Sequence, residues 1–109
     1  MNVIFSPEVE QYLFELTEIL YKKEYFGFKD SAVQYVKDLI YDIRNDLPTS
    51  VRRPAPKYFS KYGKNLLYSG FKKNKTTQWY VFFNLYEENG EQMYLVRYIS
   101  NNHVISQYL

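Results

Sequence analysis

The chain has 109 residues, 46% of them hydrophobic and 20% aromatic, with 14 Lys and Arg against 12 Asp and Glu and no cysteine. That length supports one domain with a single core, and the absent thiols exclude disulfides, thiolate metal sites and a cysteine nucleophile. No stretch approaches the roughly 20 apolar residues of a membrane span and no basic, apolar leader opens the chain, so one soluble cytoplasmic domain, residues 1–109, is expected.

The run Val3-Ile4-Phe5 reads as a first strand. Ser6 then caps a helix, Pro7 fits its first turn, and Glu8 and Glu10 complement the dipole at its N-terminus. Val9, Leu13, Leu16 and Leu20 recur at helical spacing, and the helix is expected to reach about Glu24 before Gly27 interrupts it. Ser31 with Gln34 has the form of a capping box for a second helix. Its buried stripe is Ala32, Val36, Leu39, Ile40, Ile43 and Leu47, and Pro48 ends it.

Pro54 and Pro56 hold the following loop extended. Residues 65–73, 77–86 and 92–100 are rich in β-branched and aromatic side chains. They are separated by Lys73-Asn74-Lys75 and by Asn89-Gly90, so the last three strands form an antiparallel meander. Alternation assigns Trp79, Val81, Phe83 and Leu85 to a helix-packed face, and Tyr80, Phe82, Asn84 and Tyr86 to an open one. The expected architecture is α+β, in the order β-α-α-β-β-β, with a helix hairpin on one face of an antiparallel sheet.

Charge is distributed unevenly along this order. Residues 47–86 hold eight basic side chains and no acidic one, so the rest of the chain has 6 basic against 12 acidic, or −6. Ten aromatic residues share that window. Basic groups interleaved with flat rings suit single-stranded RNA, whose phosphates take the charge and whose bases stack. A solvated basic surface beside an aromatic core accounts for the same pattern.

The Val3-Ile4-Phe5-Ser6-Pro7-Glu8 junction, the helix hairpin, the basic segment before the meander and the tail Tyr98-Ile99-Ser100-Asn101-Asn102-His103 with Tyr108 resemble the RelE/ParE superfamily of type II toxins. That family includes plasmid-stabilisation toxins, ribosome-dependent mRNA interferases and gyrase-poisoning relatives. The resemblance implies a toxin inhibited by a cognate antitoxin protein and acting on mRNA in the ribosome as a metal-independent, cofactor-free endoribonuclease. The alternative it implies is a non-nuclease toxin that binds a protein such as DNA gyrase, or a catalytically degenerate member. A generic RNA-binding domain is a third reading. Lys72 and Lys73, then Gln78-Trp79, stand where the family's interferases often carry arginines, and lysine lacks the bidentate fork of arginine. Asn101-Asn102-His103 stands where many members have an Arg pair.

Metal-free RNA cleavage needs a base for the 2′-hydroxyl, positive charge on the phosphate and an acid for the 5′-oxygen. His103, the single histidine, titrates near neutrality and follows the last strand. Tyr108 is positioned to stack on a base or donate a proton, or to pack its ring on the domain. If Pro56 starts a helical turn, Lys57, Lys61 and Lys64 point one way as a phosphate-binding rim, with Tyr58 and Tyr62 on one flank; a soluble loop has the same composition. Arg97, permanently charged, is a candidate for the scissile phosphate, although alternation puts it on the face of Leu95 and Ile99. Lys72 and Lys73 point to opposite faces. The nuclease reading requires His103 and at least two of the lysines to converge on one concave surface. The acidic helices, with 9 acidic and 5 basic residues through Asp46, face solvent or a partner.

Overall fold

In the computed structural model, residues 2–23 and 26–109 are described. Strand β1 (Val3–Phe5) leads into helix α1 (Pro7–Lys22), which is followed by helix α2 (Lys29–Asp46). A two-residue strand β2 (Arg53–Pro54) precedes a 3₁₀ helix over Lys57–Tyr62. The meander is β3 (Leu67–Lys72), β4 (Gln78–Glu88) and β5 (Glu91–Asn101), closed by a short helix α3 (Asn102–Ile105) and a last 3₁₀ turn. The sheet order is β1-β5-β4-β3-β2. The α+β arrangement, the helix hairpin and the antiparallel meander are therefore present. The sheet as a whole is mixed, because β1 joins β5 in parallel.

Local chemistry sets the element ends. Ser6 Oγ accepts the Val9 N–H at 3.2 Å, and Pro7 occupies the first turn of α1. Asn89 and Gly90 both adopt positive φ, as a two-residue hairpin turn demands. Asn74 Oδ1 accepts the N–H groups of Thr76 and Thr77, each at 2.9 Å, which shapes the β3–β4 turn. Glu24, the expected end of α1, lies outside the described residues, and the helix closes at Lys22.

The capping box is not formed. Helix α2 starts at Lys29 with Phe28 as its cap, so Ser31 already lies within the first turn. Gln34 instead donates to Asp38 at 2.8 Å, and Lys29 pairs with Glu18 across the hairpin.

Two cores lie on opposite sides of the sheet. On the helix side, Val9, Leu13, Leu16 and Leu20 of α1 and Val36, Leu39 and Ile43 of α2 meet Trp79, Val81, Phe83, Val96 and Ile99. The other face, expected open, is closed. Phe59 of the 3₁₀ helix, Leu66, Phe82 and Ile105 of α3 form a second buried cluster there, rimmed by Tyr62, Tyr68, Tyr80, Tyr98 and Tyr108. Alternation correctly sent Phe82 to this face, but the ring is 0% exposed because two irregular segments cover it. Neither segment has a hydrophobic period that announces a lid.

Strand β5 carries a β-bulge. Phe82 pairs with Tyr98 but Phe83 pairs with Val96, so Arg97 has no opposite residue. The extra residue reverses the parity of the strand: Val96 and Ile99 both face the helices, and Tyr98 joins the outer cluster. Strand β1 covers only residues 94–96 of β5, and the rest of that edge, through Asn101, has no strand beside it among the described residues.

Candidate nucleic-acid interface

The 3₁₀ helix over Lys57–Tyr62 arranges the site. With three residues per turn, side chains at i and i+3 eclipse, which lays Lys61 over Tyr58. Its Nζ sits 3.9 Å from the Tyr58 ring centroid and 5.5 Å from that of Tyr62. Tyr58 is stacked on Tyr108, with centroids 3.7 Å apart and planes within 3°. Tyr62 is stacked on Tyr98, at 3.8 Å and within 5°. One ammonium thus lies between two tyrosine pairs. Ring quadrupoles attract the cation, and among the described residues Lys61 has no acidic partner, since the two ion pairs there are Lys29–Glu18 and Lys73–Asp42. Its charge is held in place without being neutralised.

Arg97 reaches the same surface through the bulge. Its guanidinium donates to Asn84 Oδ1 at 3.4 Å, and Asn84 Nδ2 donates to the Lys64 carbonyl at 2.7 Å. Arg97, Tyr98, Lys61 and Tyr62 line one side of a groove of about 660 Å³, with Glu8 and Tyr12 of α1 opposite. The groove runs along the unpaired part of the β5 edge. Three tyrosines line it together with three cations, Lys23, Lys61 and Arg97, and the carboxylate of Glu8.

The tyrosines differ in acidity. The Lys61 ammonium, and after it the Tyr108 hydroxyl, hold Tyr58 below the ordinary phenol value. Tyr108 is raised by its neighbour Tyr58. Burial, and secondarily the adjacent Tyr98, push Tyr62 up to about 12, and Tyr12 also rises to about 12, again mainly by burial. Neighbouring phenols are thereby separated into one that ionises more readily, Tyr58, and one that keeps its proton, Tyr108.

The other sequence candidates lie elsewhere. His103 is on the opposite flank of α3, with Nε2 3.0 Å from Thr77 Oγ1, in a separate cavity. Lys73 turns to the helix side, where it pairs with Asp42 at 3.7 Å and lies over Tyr35. Lys72 lines a groove of about 780 Å³ along the outer edge of β3. Lys57 and Lys64 are exposed and take no part in the stack. The turn is 3₁₀ rather than α-helical and ends at Tyr62, so the spacing that would align Lys57, Lys61 and Lys64 on an α-helix does not apply. The required convergence of His103 with two lysines is not found; Lys61 shares a groove with Arg97 instead, and Tyr108 is tied to Lys61 through its stack on Tyr58. Reading from the sequence alone overlooked Tyr98, Tyr12 and Asn84 as parts of the site. The Tyr58–Lys61 spacing of three was the available signal, had the turn been read as 3₁₀. Among the described residues no group of three or more acidic or histidine side chains is set to hold a metal ion, and none of their helices is long and apolar enough to cross a membrane.

Comparison with protein-family models, with curated proteins and with solved structures finds no match to this chain.

Proposed function

We propose that this protein is the toxin of a type II toxin–antitoxin pair and acts as a metal-independent, ribosome-dependent mRNA endoribonuclease. The observation that carries this reading is the uncompensated Lys61, held between the stacked pairs Tyr58–Tyr108 and Tyr62–Tyr98, in a groove shared with Arg97. A single RNA strand offers what such a groove takes, namely phosphates for the cations and base faces for the rings. The order of elements, which resembles the RelE/ParE superfamily, supports it as well.

In this mechanism Lys61 and Arg97 hold the scissile phosphate and stabilise the charge that develops on it. Tyr58, in the phenolate form that the Lys61 ammonium favours, takes the proton of the 2′-hydroxyl as that oxygen attacks phosphorus. Tyr108, whose proton is held more firmly, donates to the departing 5′-oxygen. The bond to the 5′-oxygen breaks, leaving a 2′,3′-cyclic phosphate and a 5′-hydroxyl. His103 takes no part, because it faces another cavity. The antitoxin's place is the groove, with an extended segment added to the free edge of β5.

The test is tightly repressed expression in a bacterial host followed by mapping of mRNA 5′ ends. Growth arrest with new cuts inside translated messages, lost in Lys61→Ala and Arg97→Ala, is the expected result. Arrest without cuts, undiminished in both variants, would replace this reading with a protein target such as DNA gyrase. Absence of arrest would overturn it.

A further inference from the structure

Helix α3 separates two cavities. Val104 lines the Lys61–Arg97 groove, whereas the preceding residue, His103, lines a second cavity of about 330 Å³ beneath the β3–β4 turn. That volume falls at the lower end of small-molecule sites. Its wall is three rings. Phe26 and Tyr35 are 5.2 Å apart and tilted by 56°, and Tyr35 and Trp79 are 6.5 Å apart and tilted by 59°. Tilted rings leave a concave aromatic surface rather than filling it. Trp79 Nε1 donates to Tyr35 Oη at 2.8 Å, which fixes both rings, uses the indole N–H and leaves the Tyr35 O–H able to donate.

The rim has the opposite character, and its orientation is determined. Asn74 Oδ1 accepts backbone N–H groups from Thr76 and Thr77, and Asn101 Oδ1 accepts the His103 N–H at 3.0 Å. Only an oxygen can accept these bonds, so each amide keeps its NH₂ end, which has no partner among the described residues. The imidazole uses Nε2 on Thr77 and leaves Nδ1 unused. Two amide donors and an imidazole therefore surround an aromatic wall, and among the described residues no carboxylate lines the cavity. A cationic ligand finds no counter-charge among the described lining residues. A flat heterocycle with carbonyl or ring-nitrogen acceptors on its edge matches both parts.

We infer that this cavity binds an unpaired nucleobase, its ring against Phe26, Tyr35 and Trp79 and its acceptor edge on Asn74, Asn101 and His103. The base is supplied by a free nucleotide or by a single-stranded RNA that crosses the first turn of α3 from the groove. Lys75 is exposed on the same turn, beside Asn74, where a phosphate attached to the base meets a favourable charge. The inference goes beyond RNA cleavage and does not depend on it.

Trp79 is the single tryptophan of the chain, so its indole N–H is an unambiguous reporter. Proton–nitrogen correlation spectra of the full chain are recorded during titration with the four nucleoside 5′-monophosphates, with a short unstructured RNA and with ribose 5-phosphate. Saturable shifts of the Trp79 indole and of the Asn74 and Asn101 amides with a base-bearing probe are expected, and ribose 5-phosphate leaves them in place. Shifts with RNA but not with mononucleotides assign the base to a bound strand; shifts with mononucleotides show that a free nucleotide suffices. Leu20→Phe, which fills the cavity, weakens the response at least tenfold. His103→Ala, an exposed substitution that loses one bond to Thr77, weakens it several-fold and stands if Leu20→Phe does not fold. Lys61→Ala keeps the Trp79 response to mononucleotides, which separates this site from the cleavage reading. No Trp79 shift at millimolar probe, or an equal one with ribose 5-phosphate, would overturn the inference even if the protein cuts RNA.

Discussion

Val96 and Tyr98 stand two residues apart on β5 and look into different cores. Val96 meets the aliphatic stripes of α1 and α2, which are regular, closed and without charge at their centre. Tyr98 meets Tyr62, Phe59 and Phe82 beneath a 3₁₀ helix and a short terminal helix. The helix-side core is held mainly by burial, which makes no directional demand, with the Trp79–Tyr35 hydrogen bond at its margin. The outer one has polar edges and ring faces. It seats the Lys61 ammonium 3.9 Å from a ring centroid without an acidic partner among the described residues, whereas Lys73, over Tyr35 on the helix side, is paired with Asp42. Stability and candidate chemistry are thus assigned to opposite sides of one sheet.

That division can be broken most sharply at Phe59, which is fully buried in the outer cluster. Phe59→Ala is expected to lower unfolding free energy by about 3–5 kcal/mol and to abolish RNA binding by the molecules that remain folded. Urea unfolding and strand binding on the same sample measure both. Leu39→Ala, equally buried against the helices, is expected to cost about 2–5 kcal/mol while the folded fraction keeps its RNA affinity. Equal loss of affinity in the two variants would erase the distinction between the cores.

At the groove the contrast reverses. Lys61→Ala is expected to lower cleavage by about 10²-fold, in the range of a lost charge-stabilising donor, while the urea midpoint hardly moves. Alkaline titration sharpens the comparison further. Tyr12 and Tyr62 ionise near 12 in the folded protein, but near 10 in an unfolded chain. The folded state holds these protons more tightly, so their stabilisation is complete below about pH 10 and is lost as pH rises from 10 to 12. Tyr35, raised mainly by burial on the helix side, adds in the same sense. The combined Tyr12→Phe and Tyr62→Phe variant should flatten the fall in urea midpoint over that interval. Ser6→Ala is the smallest change, expected to cost about 1 kcal/mol through the lost cap of α1 with no effect on the groove.

The regular half of the molecule was legible in the sequence because its signals are local. Val9, Leu13, Leu16 and Leu20 declare a helix by spacing, Ser6-Pro7 declares its start, and Asn89-Gly90 declares a hairpin. Lys61, Arg97 and Tyr108 were recognisable as candidates by residue type and position. Their assembly was not legible. The bulge at Arg97 is set where Phe82 and Phe83 must each fill a different core, which is a tertiary condition. The lid over Phe82 comes from two segments without periodicity. The failed capping box has the same origin, since α2 begins where Lys29 meets Glu18 of the other helix rather than where Ser31 offers a cap.

The parallel pairing of β1 with β5 joins residues 3–5 to residues 94–96. Chains emerge from the ribosome N-terminus first, so Val3 and Phe5 wait for their partner strand until nearly the whole domain has been made. Closing so long a loop slows folding and leaves the sheet without its edge strand throughout elongation. The bulge at Arg97, one residue beyond the segment that β1 joins, is synthesised well after the Lys61 turn, so a nascent chain carries that turn before it carries a completed groove.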